Sequence, residues 1–67
     1  EPEEIINELC GLLKDEDNQV RINTALALMK TEEISSINSL REAISAEEDG
    51  QVKTVLEVAL NQLIAFK

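Results

Sequence analysis

Apolar residues recur along the chain at three- and four-residue spacing, in four stretches divided by short polar breaks. Ile5, Ile6, Leu9, Leu12 and Leu13 form one stripe of a first helix, expected over about residues 2–14. Pro2 suits its opening turn, where a missing N–H costs nothing, and Lys14 complements the negative end of the helix dipole. After Asp15-Glu16-Asp17-Asn18, a second helix is expected over 18–30 with Asp17 as N-cap. It carries two stripes, Val20-Thr24-Ala27-Leu28 and Ile22-Ala25-Leu26-Met29, and a helix apolar on two sides is covered on two sides. Thr31 reads as the cap of a third helix over 32–46, with Glu32 and Glu33 in its first turn and a narrower stripe of Ile34, Ile37, Leu40 and Ile44. The break Glu47-Glu48-Asp49-Gly50 ends in a further candidate cap, Asp49. A fourth helix then runs over 50–66 through Val52, Val55, Leu56, Ala59, Leu60, Leu63 and Phe66, with Val58 and Ile64 widening the apolar sector.

The second half of this pattern repeats the first. Val20 and Val52 stand 32 residues apart, and in that register Asp15-Glu16-Asp17 falls on Glu47-Glu48-Asp49. Gln19 then falls on Gln51, Arg21 on Lys53, Ala27-Leu28 on Ala59-Leu60 and Leu12 on Ile44. A repeat of this length is one helical hairpin, which cannot hide its apolar face alone and stacks on a neighbour.

Asp17-Asn18-Gln19-Val20-Arg21 followed by Ala27-Leu28, after Leu12-Leu13, resembles the signature of HEAT and HEAT-like repeats. Asp49-Gly50-Gln51-Val52-Lys53 with Ala59-Leu60 is a weaker copy, and both units lack the proline often found in the family's first helix. The resemblance covers nearly the whole chain and implies an all-α fold of two stacked antiparallel helical hairpins, an α-α superhelix. Repeat one would span 1–31 and repeat two 32–67 of a single domain. It further implies a ladder between repeats built from Asp17, Arg21, Asp49 and Lys53. Lys53 departs from the pattern, and an ammonium makes a less directional contact than a planar guanidinium.

Composition narrows the function. The 67 residues include 43% hydrophobic and 30% charged residues, one aromatic (Phe66), one proline and two glycines, which favours helix over a hairpin-rich β fold. The net charge of −8 opposes nucleic acid, whose binding draws on cations set against phosphates, and equally opposes anionic membranes. No apolar run approaches the length of a membrane span. The balance instead suits a protein partner, in particular a basic one. Cys10 stands alone and histidine is absent, so no intramolecular disulfide and no Cys/His zinc site can form. A chain this short without a disulfide framework fits a reducing, cytoplasmic setting. Its start at Glu1 suggests a piece of a longer protein.

Candidate chemistry is sparse. Stacking would align the two polar breaks, so that Asp15, Glu16, Asp17, Glu47, Glu48 and Asp49 form an acidic ridge; the plainer reading is a pair of solvated, helix-capping loops. A calcium loop starting at Asp15 fails, because its sixth and twelfth places hold Val20 and Leu26 where glycine and glutamate are required. Cys10 has no base beside it and suits packing. Asn38-Ser39-Leu40 approaches the attachment motif of acyl carrier proteins but lacks its Asp and lies inside an expected helix. No phosphate loop, metal-spaced cluster or nucleophile–base pair occurs, so neither catalysis nor a cofactor is expected.

The expected role is therefore a protein-interaction or scaffold module of HEAT-like repeats. Two repeats leave apolar surface uncovered, so the module is expected either to continue into further repeats of the same chain or to self-associate, most simply as a two-fold dimer through helices three and four. The competing class rests on resemblance to bilin-attaching lyases, among which some HEAT-like proteins hold a chromophore or a client subunit. An acyl-carrier role is the remote third.

Overall fold

The computed structural model describes residues 2–66, so the outermost residues of the two expected repeats, 1 and 67, lie outside it. The chain forms α1 (Pro2–Leu12), α2 (Asn18–Lys30), a 3-10 turn (Ile34–Ser36), α3 (Ile37–Ala46) and α4 (Gly50–Phe66), and no strand occurs among the described residues. The fold is all-α. α4 packs on both α2 and α3, while α1 rests principally on α2. This arrangement accounts for the doubled apolar stripe of α2, which has α1 against one side and α4 against another.

One core runs through both hairpins. Leu13, Ala25, Leu28, Ile37, Leu40, Ala43, Val52, Leu56, Ala59 and Leu63 bury together, and Leu28, Leu40, Leu56 and Leu63 lose all contact with solvent. Leu9, Ile22, Met29, Ile44, Val55 and Leu60 pack against them from partly exposed positions. Two polar side chains enter this interior and both satisfy themselves locally. Thr24 Oγ1 donates to the Val20 carbonyl at 2.7 Å and Ser36 Oγ to the Glu33 carbonyl at 2.6 Å. Among the described residues no buried side-chain nitrogen or oxygen lacks a partner, as a low-dielectric interior demands.

The two expected caps at the polar breaks sit where the pattern places them. Asp17 Oδ1 accepts from the Gln19 and Val20 N–H groups at 2.7 and 3.4 Å, and Asp49 Oδ1 from those of Gln51 and Val52 at 2.9 and 3.0 Å. Each satisfies orphan donors at a helix start. The 32-residue register thus reappears as paired hydrogen bonds.

Three expectations need correction. α1 stops at Leu12 rather than residue 14, because the N–H groups of Leu13, Lys14 and Asp15 turn to carbonyls three residues back and tighten the backbone. Thr31 ends α2 rather than starting α3. Glu32 takes a left-handed φ of 57°, its N–H bonds to the Met29 carbonyl at 3.1 Å, and the Glu33 N–H reaches back to Leu28 at 3.0 Å. That is a Schellman stop, with glutamate in the place glycine usually takes. α3 consequently begins at Ile37, after the 3-10 turn, not at residue 32. Finally, Val58, Ile64 and Phe66 do not extend the core; all three remain exposed on α4.

Candidate functional site

The two polar breaks meet at one edge of the molecule, and specific cross-ties hold them there. Arg21, one turn into α2, extends its guanidinium to the second break. Its Nε donates to Glu47 Oε1 at 2.8 Å and its Nη2 to Glu47 Oε2 at 2.9 Å, a forked pair of the kind only a planar guanidinium makes. Nη1 donates to the Asp15 carbonyl at 2.6 Å and Nη2 also meets Asn18 Oδ1, so the head is anchored to both repeats. Asn18 adds a second tie, its Nδ2 donating to Asp49 Oδ2 at 3.0 Å.

Burial sharpens this pair. The side chains of Arg21 and Glu47 keep 14% and 5% of their surface exposed. Glu47's carboxyl titrates below the ordinary glutamate range, chiefly because Arg21 donates to it; burial pushes the other way, and the Asp49 N–H, at 3.2 Å from Oε2, reinforces the downward shift. Arg21 is correspondingly raised, first by the same hydrogen bond.

An open cleft of about 580 Å³ lies between the breaks, floored by Leu13, Ala43 and Ala46. Five carboxylates, Asp15, Glu42, Glu47, Glu48 and Asp49, line it against two cations, Lys14 and Arg21.

The acidic residues therefore divide by role. Glu16, Asp17 and Glu48 are exposed, Asp15 and Asp49 are half-buried, and Glu47 turns inward to Arg21. Asp15 Oδ1 accepts the Asp17 N–H at 2.9 Å, as Glu47 accepts that of Asp49. In the expected ladder, Arg21 would meet an aspartate; its carboxylate partner is Glu47 instead, while Asp17 and Asp49 each turn Oδ1 to a helix cap. Lys53 repeats Arg21's backbone bond, its N–H reaching the Asp49 carbonyl at 2.9 Å, but its side chain is exposed and forms no ion pair among the described residues. Sequence reasoning passed over Asn18 and Glu47 as cross-links. The one available signal was that Glu47, in the place of Asp15, is longer by a methylene.

The other candidates stay separate from this edge. Cys10 is half-buried and free, and Ser39 lies half-buried within α3. Among the described residues no group of three or more His, Cys, Asp or Glu side chains is arranged to hold a metal, and no helix is long and apolar enough to cross a membrane.

The chain belongs to the HEAT-repeat family: the family model for HEAT repeats matches residues 1–61. It is also similar to the bilin biosynthesis protein MpeU of Synechococcus sp. (strain WH8020), with 53% identity over 62 residues. That match covers 92% of this chain and 21% of the relative, so the chain spans about a fifth of the relative's length. No solved structure matches it.

Proposed function

We propose that this chain is a protein-interaction module that presents its acidic edge to a basic partner and performs no chemistry of its own. The observation that carries this reading is the pair of cross-ties, Arg21–Glu47 and Asn18–Asp49, which assembles two separate acidic breaks into one surface. Glu16, Asp17 and Glu48 are exposed on these joined breaks. Pre-organised charge of one sign speeds encounter with the opposite sign and disfavours wrong partners. The reversal variant Glu16→Lys/Glu48→Lys tests it. Cross-linking capture of partners by the wild-type chain, lost in the variant at unchanged helicity, supports the reading. Equal capture by both overturns it.

A second reading is favoured by the relative's name. The chain would then be the repeat portion of a bilin biosynthesis protein, holding a chromophore or the protein that receives one. The cleft is rimmed mainly by carboxylates, and bilins carry propionate groups, so the receiving protein is the better occupant on charge grounds. A visible absorbance change on adding free bilin would favour direct chromophore binding; an unchanged spectrum leaves the protein-partner reading.

A further inference from the structure

We propose that Arg21 is a latch on the acidic edge. With its guanidinium seated on Glu47, residues 47–51 are held closed; with it withdrawn, they open as a unit while the core stays folded. This rests on the acidic-edge reading above and names what controls that surface.

The hydrogen bonds form a relay. Arg21 Nε and Nη2 hold the two oxygens of Glu47 at 2.8 and 2.9 Å. Glu47 Oε2 in turn accepts the Asp49 N–H at 3.2 Å, and Asp49 Oδ1 accepts the Gln51 N–H at 2.9 Å in the opening turn of α4. Asn18 Nδ2 steadies the same Asp49 through Oδ2 at 3.0 Å. A guanidinium of repeat one thus orders the first backbone donors of a helix in repeat two. Its own seat is built from repeat one, since Nη1 also donates to the Asp15 carbonyl at 2.6 Å and Nη2 to Asn18 Oδ1.

Burial makes the segment open together rather than fray. Glu47 keeps only 5% of its side chain exposed, and a carboxylate at that depth is unfavourable without its partner. Losing Arg21 therefore turns Glu47 out to water and takes the acceptor of the Asp49 N–H with it. Residues 47–49 belong to no helix, so nothing regular resists the movement. Val52, 1% exposed, seats α4 in the core and sets the limit of the opening. Release carries Glu48 and Asp49 away from Glu16 and Asp17 and divides the edge again. Repeat one has the same cap without the latch. Asp15 Oδ1 accepts the Asp17 N–H and Asp17 Oδ1 the Gln19 N–H, but Asp15 forms no ion pair among the described residues.

Hydrogen exchange followed by NMR tests the latch without any partner. In the wild-type chain the Asp49 and Gln51 amides should exchange at rates that low urea leaves unchanged, because a local opening exposes little surface. The Leu56 amide, deep in α4, should accelerate with urea. Equal urea dependence at all three means that the break opens only with the whole fold, and overturns the proposal. Arg21→Ala should speed exchange at Asp49 and Gln51 by about ten-fold or more, the scale of losing hydrogen bonds to a charged group, and leave Gln19 nearly unchanged. Free guanidinium ion, well below denaturing concentration, should restore the slow rates in that variant, and ammonium should not, because only the planar ion reproduces the fork. Equal acceleration at Gln19 and Gln51, or no difference between the two ions, overturns the latch. The wild-type measurement decides the matter even where Arg21→Ala does not fold. A failed latch leaves the Glu16→Lys/Glu48→Lys capture experiment to decide the acidic-edge reading by itself.

Discussion

Arg21 and Glu47, 26 residues apart in the chain, share two hydrogen bonds of 2.8 and 2.9 Å that join one repeat to the next. The fork depends on guanidinium geometry as well as on charge. Arg21→Lys is therefore expected to lower the thermal midpoint, read by circular dichroism, although charge is conserved. Lys53→Arg, at the equivalent place in repeat two, should leave it nearly unchanged. Equal midpoints for wild type and Arg21→Lys would show that the fork adds nothing to the joint.

Acid should loosen the same joint. Glu47 titrates lower in the folded chain than its ordinary value of about 4.3 in an unfolded one. Its contribution is therefore complete above about pH 4.3 and is lost as pH falls through the lower folded value. Thermal midpoints measured on acidification should fall more steeply for wild type than for Glu47→Gln. Parallel curves would contradict this.

The two caps should differ in weight. Asp17→Ala removes one capping side chain and is expected to cost about 1 kcal/mol in urea unfolding. Asp49→Ala removes a cap and also the acceptor of Asn18 Nδ2, so it should cost more. Double-mutant cycles with Asn18→Ala would isolate the added contact.

Core and surface positions on α4 should separate cleanly. Leu56 has no exposed surface, and Leu56→Ala is expected to cost about 2–5 kcal/mol, a large share of the stability of so small a domain. Phe66, 51% exposed, should tolerate serine with little change in the urea midpoint.

Glu32 offers a gain instead. Its φ of 57° is strained for a residue with a side chain, and Glu32→Gly should raise stability by about 0.5–1 kcal/mol after allowing for the freer unfolded chain. A lower urea midpoint would mean that the glutamate side chain contributes at this turn.

The sequence by itself determined the helices, their register and two of their caps. Period-3.6 stripes, and an Asp two residues before Gln19 and again before Gln51, act through neighbours in the chain, so they can be read without knowing where the rest of the molecule lies. The end of α2 was hidden because its left-handed residue is Glu32 and not glycine. Likewise, the stripe expected over residues 2–14 reads as one line in sequence, yet Leu13 is in the core and Ile5 is exposed, since that segment rests principally on α2. The acidic breaks were visible as charge runs, but their division of labour was not. Which carboxylate meets Arg21 depends on side-chain reach across 26 residues of chain, and that is a distance set by packing α2 on α4. Tertiary structure therefore decided what faces what: Glu47 inward as a strut, Glu16 and Glu48 outward as surface.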